Sequence, residues 1–455
     1  MAEPENFLRQ PQAPFSFLGQ TGLRNRIARR PMTELRQIQR AQHRQRLVVI
    51  GNGMAGHRLL EQLVARDDRS QEIHVFGDEP SPAYNRIMLS PLLAGEITPD
   101  AIALHDRDWY AANDITLHCD SPVMTIDRER REVVSAEGTR TPYDQLVLAT
   151  GSRPTKFPLP GSELDGIHGF RTTHDVDTLT RAQEHGEHAV VIGGGLLGLE
   201  AAEGLRKRGM SITVVHLGHH LLNRQLDEYA ARLLQQELET RGLHFELGTL
   251  ATAFNDNGQG RVSSVTLKNG HTLKADTVVV AAGITPNAEL GRDAGLACGR
   301  AIIVDDGMRT SDPSIYALGE CCEFETTTYG LVEPIWRQAE VLAARLCGKD
   351  ARYRDALTAT KLKVSGINLY AFGVLDASDE PAVHDDVLTY FDPENGDYRR
   401  LILRDNRLIG AVLYGDTAAG PWYFQQSLDS RDLSHCRDAL LFGAHDATQR
   451  LEEAA

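Results

Sequence analysis

The sequence predicts an α/β fold: two Rossmann-like dinucleotide-binding units, one of them inserted into the other, and a further α/β domain at the C-terminal end. Three observations carry that prediction. Glycine fingerprints stand at Gly51-Asn-Gly53-Met-Ala-Gly56 and again at Gly193-Gly-Gly195-Leu-Leu-Gly198. Each sits between a short apolar run ending on its first glycine and a stretch with helical spacing of apolar residues. Ala281-Ala-Gly283-Ile-Thr-Pro286 also echoes Ala149-Thr-Gly151-Ser-Arg-Pro154, the mark of an internal duplication.

Taken in order, Leu47–Ile50 reads as a strand. The helix after Gly56 carries Leu59, Leu60, Leu63 and Val64 on one face. Ile73–Phe76 is the next strand, and Tyr143–Ala149 is another, ending where Gly151 and Pro154 mark a sharp exit. The second unit repeats this order: strand Ala189–Ile192, a helix with Leu196, Leu199, Ala202 and Leu205 inward, strand Ile212–Val215, and a buried strand Asp276–Ala282. Strand Ile315–Leu318 then meets Gly319-Glu320. Beyond residue 346 the texture changes. Tyr398–Leu403 and Leu408–Leu413 flank Arg404-Asp-Asn-Arg407, a hairpin signal. The organisation is therefore an arm over 1–45, a first unit over 46–158 and 284–345, a second over 159–283, and a C-terminal domain over 346–455.

Composition narrows the functional classes. Of 455 residues, 41% are hydrophobic and 24% charged, as in ordinary globular proteins. A net charge of -15 disfavours nucleic acid as a partner. No apolar run approaches the roughly 20 residues that span a bilayer. Cys119, Cys298, Cys321, Cys322, Cys347 and Cys436 form neither a C-x-x-C pair nor a metal-ligand cluster, so no metal is expected and a reducing cytoplasm fits. The arm is rich in Arg and Gln and broken by Pro4, Pro11, Pro14 and Pro31. It reads as a disordered arm, or as an over-extended start with Met32 the initiator; a basic docking arm is the alternative.

The loops act through backbone. The first glycine makes the tight turn, the second admits a pyrophosphate, and the third lets helix pack on strand, leaving the anion at a helix N-terminus. Such a site also uses an acid near the end of its second strand for a ribose hydroxyl. Asp78 or Glu79 stands there in the first unit, against the simpler reading of a surface turn. In the second unit that place holds His216, neither the acid of an NAD site nor the Arg of a 2′-phosphate site, which leaves NADH and NADPH both open. Vicinal Cys321-Cys322 reads as packed small residues, His219-His220 as a solvated turn, Trp109-Tyr110 and Trp422-Tyr423 as core or interface aromatics, and Glu237 with Arg241 as an exposed helix pair.

Several stretches resemble one family: Ile50–His57, Phe76–Pro80, Tyr84-Asn-Arg-Ile-Met-Leu-Ser-Pro91, Val191–Glu200, Arg224–Asp227, Tyr316–Cys321, Lys361–Gly366 and Gly410–Asp416. Together they resemble the FAD- and NAD(P)H-binding part of the large subunit of assimilatory NAD(P)H-nitrite reductase, within the two-dinucleotide flavoprotein superfamily. The resemblance implies that Gly51, Gly53, Met54, Ala55 and Gly56 cradle the FAD pyrophosphate and that Asp78 or Glu79 holds the ribose. It implies that Arg86 reaches phosphate or ribityl oxygens, that Val123 contacts adenine through backbone, and that Ala149, Thr150 and Gly151 line the cofactor. Glu320 stands for the ribityl-binding Asp of the superfamily. Ile335 and Trp336 open a helix beside the flavin pyrimidine. Gly193, Gly195 and Gly198 would hold the NAD(P) pyrophosphate, with Leu196, Leu197, His216 and Gly283 beside it. Glu200 would position the nicotinamide, since the Lys that pairs such an acid in related ferredoxin reductases is replaced by Pro91.

The departures also speak. The chain has no cysteine cluster with iron–sulfur spacing and stops before any sirohaem domain, so it is expected to hand electrons to a separate protein. Neither the C-x4-C of disulfide reductases nor the single Cys of thiol peroxidases is present. The implied function is a FAD-dependent NAD(P)H oxidoreductase serving nitrate or nitrite assimilation through a separate electron-acceptor protein. A general rubredoxin or ferredoxin reductase is the alternative. A non-enzymatic NADH-responsive flavin sensor, a subunit that has lost FAD and an oligomeric assembly stay open.

Overall fold

The computed structural model describes residues 44–66, 69–364, 366–376 and 385–453. The predicted arm lies outside them, apart from its last residues. The first unit is a parallel sheet in the order Ile315–Ala317, Gln145–Leu148, Arg46–Ile50, Glu72–Phe76, Ile115–His118. Its central strand is the one that runs into the first glycine loop. Leu47, Val48 and Val49 are wholly buried, as a strand covered on both faces must be. Helix Met54–Val64 covers one face with Leu59, Leu60 and Leu63 and packs on helix Val332–Leu346.

The second unit has the same plan. Its parallel sheet runs Leu243–Leu247, Ser211–His216, His188–Ile192, Thr277–Val280, Ile167–His168, again with the loop-bearing strand at the centre. Each unit also carries an antiparallel three-stranded crossover: Val123–Asp127, Glu132–Ser135 and Arg140–Pro142 in the first, Ala251–Asp256, Val262–Leu267 and Thr272–Lys274 in the second. The duplication thus extends from loop to whole unit. The two units are joined by a ribbon in which Ser152–Pro154 pairs antiparallel with Ile284–Pro286, the two echoing segments.

The C-terminal domain is an antiparallel sheet in the order Thr360–Val364, Ile367–Gly373, Arg407–Tyr414, Asp397–Arg404, Asp385–Asp392. Its predicted hairpin turns at Asp405 and Asn406, both at positive φ (50° and 59°), which suits the right-handed twist of the flanking strands. Among the described residues, no helix is long and apolar enough to cross a membrane.

Several boundaries differ from those read in the sequence; strand Tyr143–Ala149, for one, shortens to Gln145–Leu148. The first loop's helix starts at Met54, not after Gly56, so Gly56 lies in its first turn. A Cβ there would stand 2.1 Å from the Gly51 carbonyl oxygen, and only glycine lets the helix begin that close to the strand. The helix predicted to open at Ile335 opens at Val332; Pro334 is accommodated in its first turn, where an amide has no intrahelical partner. Strand Asp276–Ala282 shortens to Thr277–Val280, and the Asp276 carboxylate before it accepts the Glu187 and His188 amides. Strand Ile315–Leu318 ends at Ala317.

Tyr398 of the C-terminal sheet donates to the carboxylate of Asp227 at 2.7 Å, and both residues are buried. Asp227 precedes helix Glu228–Thr240 of the second unit, and Tyr229 packs on the Tyr398 ring with centroids 4.9 Å apart. Tyr398→Phe removes the donor and leaves a buried carboxylate oxygen without it. A loss of about 1–3 kcal/mol is expected, read as a lower melting temperature in thermal unfolding.

Candidate functional site

The site is built from backbone before any side chain enters. Gly51 has φ +111°, and a Cβ on it would lie 2.1 Å from the Ala149 carbonyl oxygen. Gly193 matches it, with φ +125° and the Ala281 oxygen at 2.5 Å. These glycines press each loop onto the end of the neighbouring strand. Gly53 and Gly195 differ in kind. Their backbones are extended, with φ -83° in both. A Cβ on Gly53 would meet only the Arg86 guanidinium at 4.0 Å, and one on Gly195 would meet nothing within 4 Å. Each caps a helix that no side chain caps. Two helix N-termini therefore present free amide donors to open space, and the dipole favours an anion there. The residues fit two diphosphate groups.

Around the first loop, Glu79 accepts from the Tyr84 hydroxyl at 2.7 Å and pairs with the guanidinium of Arg86, which also donates to the Arg171 carbonyl at 2.9 Å. Of the two candidate acids, Asp78 is exposed, while Glu79 serves as the anchor of Arg86. Val123 opens a crossover strand and is half-buried. Ala149 is buried at the strand end. Thr150 donates its hydroxyl to the Asn287 carbonyl at 2.7 Å and accepts from the Asn287 amide at 2.8 Å, tying the two connecting segments together. Gly151 holds φ +65°. Glu320, read as a ribityl acceptor, is already engaged: the Arg171 guanidinium pairs with it, and Ser152 donates to it at 2.9 Å. Ile335 stands beside Gly319, whose amide donates to Gln338 Oε1 at 2.9 Å. Trp336 takes the Arg58 guanidinium over its ring at 5.2 Å.

In the second unit Met54 and Ala55 have their counterparts in Leu196 and Leu197, which begin the helix and are half-buried. Gly198 sits so close that a Cβ would lie 1.9 Å from the Gly193 oxygen. Gly283 has φ +127°, and its carbonyl accepts the Thr155 amide at 3.0 Å. His216 turns inward: Nδ1 accepts the Gly194 amide at 3.1 Å, and burial holds its pKa below the usual histidine value. Its ring supports the loop from beneath, and the following Leu217 is 66% exposed. Glu200 accepts from Ser90 Oγ at 2.8 Å, a contact from the second unit's helix to the short helix Leu89–Leu93, and burial raises its carboxyl pKa.

Cys321 and Cys322 are buried and free, and their thiols donate to the carbonyls of Leu148, Leu318 and Gly319. Burial pushes both thiols upward, which opposes thiolate chemistry. The residues missed from sequence are the partners: Tyr84, Ser90, Ser152, Arg171 and Asn287. Tyr84 and Ser90 lie within the resembling stretch Tyr84–Pro91 and Ser152 within the echo Ala149–Pro154, but nothing in those stretches names their partners.

A family model described as pyridine nucleotide-disulphide oxidoreductase matches residues 45–341, and one described as the rubredoxin NAD+ reductase C-terminal domain matches residues 359–429. Nitrite reductase [NAD(P)H] of Bacillus subtilis (strain 168) is 42% identical over 86% of this chain and 48% of its own length. The assimilatory nitrate reductase electron transfer subunit of the same organism is 40% identical over 88% and 51%. The chain thus spans about half the length of these curated relatives. Among solved structures, the covalent putidaredoxin reductase–putidaredoxin complex superimposes with a TM-score of 0.79 at 27% identity, over 90% of this chain and 99% of that one.

Two experiments separate folding from binding at this site. Gly53→Ala adds a methyl group where the protein leaves room, so its melting temperature without ligand should match the parent while flavin affinity falls at least about tenfold, about 1.4 kcal/mol; Gly51→Ala should fail already as a fold. Equilibrium dialysis with FAD and thermal melts give both readouts. Glu200 has a raised native pKa, so the folded state binds the extra proton, and the stability it contributes is full below the unfolded carboxyl pKa and lost as pH rises through the folded one. Glu200→Gln should therefore melt a few degrees higher than the parent at neutral pH and equal to it in acid, below the ordinary glutamate range.

Proposed function

The chain belongs to the pyridine nucleotide-disulphide oxidoreductase family, and from that premise we propose that it takes reducing equivalents from NAD(P)H onto bound FAD and passes electrons to a separate redox protein in nitrate or nitrite reduction. The observation that carries this reading is the pair of open, uncapped helix N-termini in two like units whose facing segments touch at Glu200 and Ser90. FAD accepts a hydride from a nicotinamide and can release electrons one at a time, and that chemistry belongs to the cofactor.

The protein's share is placement. Gly51, Gly53 and Gly56, with the amides of Met54 and Ala55, hold the FAD diphosphate, and Arg86, anchored by Glu79, adds positive charge in front of them. Asp78 takes the adenosine ribose and Val123 lies toward the adenine. Ala149, Thr150 and Gly151 line the cofactor beside Glu320, whose charge Arg171 balances. The N-terminal end of helix Val332–Leu346, with Ile335 and Trp336, would lie beside the flavin and favour negative charge there. Gly193, Gly195 and Gly198 with Leu196, Leu197 and Gly283 hold the second diphosphate. Glu200, kept in place by Ser90, positions the nicotinamide amide. The working bounds are 46–158 with 284–345 for FAD, 159–283 for NAD(P)H and 346–455 for the C-terminal domain. Six cysteines without the spacing of a secreted disulfide framework suit a cytoplasmic location.

The relatives' names support the acceptor: one is itself an electron transfer subunit of assimilatory nitrate reductase. A second reading, a general rubredoxin or ferredoxin reductase, draws on the match over residues 359–429 and the likeness to putidaredoxin reductase. Anaerobic titration of the flavin-loaded protein with NADH and NADPH should bleach the flavin bands with about one equivalent of the preferred donor; bands that stay oxidised with both donors end the proposal. Stopped-flow reoxidation by a nitrate or nitrite reductase component should outpace reoxidation by rubredoxin or ferredoxin, and the reverse order favours the second reading.

A further inference from the structure

Three side chains converge beside the first turns of the helix that follows the first glycine loop. His57 and Glu61 lie one turn apart on helix Met54–Val64, and His105 comes from the segment before helix Arg107–Ala112. Glu61 Oε1 stands 3.8 Å from His57 Nε2 and 3.3 Å from His105 Nε2, and one ligand atom from each of the three lies within 4.8 Å of the others. A tetrahedral zinc with bonds of about 2.0–2.1 Å places its ligand atoms about 3.3 Å apart, so small rotations of the side chains close the set.

The second observation is the state of His57. It is 1% exposed, and its Nε2 is buried with no hydrogen-bond partner. Its other nitrogen is committed. The Tyr110 hydroxyl stands 3.0 Å from Asn52 Oδ1 and 2.9 Å from His57 Nδ1; with its proton given to Asn52, His57 Nδ1 is the donor to the tyrosine oxygen. That leaves the Nε2 lone pair aimed into the cluster. A histidine oriented by a bond to its far nitrogen, with the near one free, is how proteins present imidazole to a metal. The surround is equally fixed. The rings of His105 and Trp109 stack at 4.4 Å, and Arg58 holds the second Glu61 oxygen at 2.9 Å, leaving Oε1 for the cluster. Glu61 and His105 keep roughly a third of their side-chain surface in water, which leaves an entry path and an open coordination position.

We propose that His57, Glu61 and His105 form a binding site for a divalent transition-metal cation of the zinc class, where the sequence led us to expect no metal. Two imidazoles and one carboxylate select such an ion over magnesium or calcium, which prefer oxygen ligands. The ion clamps the start of the flavin-side helix to the segment before Arg107. Through Tyr110 and Asn52 it also braces the first glycine loop from outside.

The test uses the full chain, flavin-loaded and without an affinity tag, titrated calorimetrically with zinc and with magnesium. One zinc per chain in the micromolar range or tighter is expected, with a higher melting temperature than in chelator and no comparable effect of magnesium. Glu61→Gln and His105→Ala should each weaken that site at least about tenfold while keeping the flavin spectrum and the melting temperature in chelator. Absence of a micromolar zinc site in the parent, or parent-like zinc binding by either variant, overturns the proposal. Neither result bears on the hydride-transfer reading, whose test is flavin bleaching.

Discussion

Everything else in the two nucleotide units follows from how closely a backbone can approach a carbonyl at the end of a parallel strand. At Gly51 over Ala149 and at Gly193 over Ala281, the space that a β-carbon would fill is already taken by the strand's own oxygen. The helix can then begin within three residues of the strand, with its first amides pointing along the sheet's C-terminal edge. Were the loop one atom thicker, the helix would start farther out and those amides would turn to solvent. The third glycine of each loop repeats the constraint from the helix side, against the oxygen of the first. An anion site without a charged ligand of its own is what this steric condition produces.

Charge is then added in layers around that neutral cradle, and in each case a cation is paired before it faces the site. Arg86 rests on Glu79, and Arg171 rests on Glu320. The pairing fixes long side chains that would otherwise be costly to order, so that a ligand meets them already placed. It also links the chain segments that surround the cleft: Arg86 reaches the backbone of Arg171, which in turn reaches the backbone of Ser152 at the start of the connecting ribbon.

Much of this was legible in the residues and some was not, for a definable reason. Strands such as Arg46–Ile50 and Ser211–His216 are written in local apolar runs, and the turn at Asp405-Asn406 is written in residues that tolerate positive φ. Both are short-range facts. The partners are long-range: Ser90 and Glu200 are 110 positions apart, and Arg171 and Glu320 are 149 apart. No spacing rule reaches across such separations, since the packed units select the pair. His216 shows the converse. Its position at the strand end was evident, but which way the ring turned depended on the glycine loop lying above it.

The second unit's core is not closed on itself. Tyr84, Leu89, Leu92 and Leu93 enter it from the first unit, and Leu369, Tyr398 and Val412 enter it from the C-terminal sheet, all packed with Leu199, Leu205 and Ile212. Domains that merely touch come apart one by one and offer proteases the strands between them. A shared interior works as a keystone instead. Pulling out any one of the three bodies exposes apolar surface that the others had covered, so the stability of each is coupled to the presence of its neighbours.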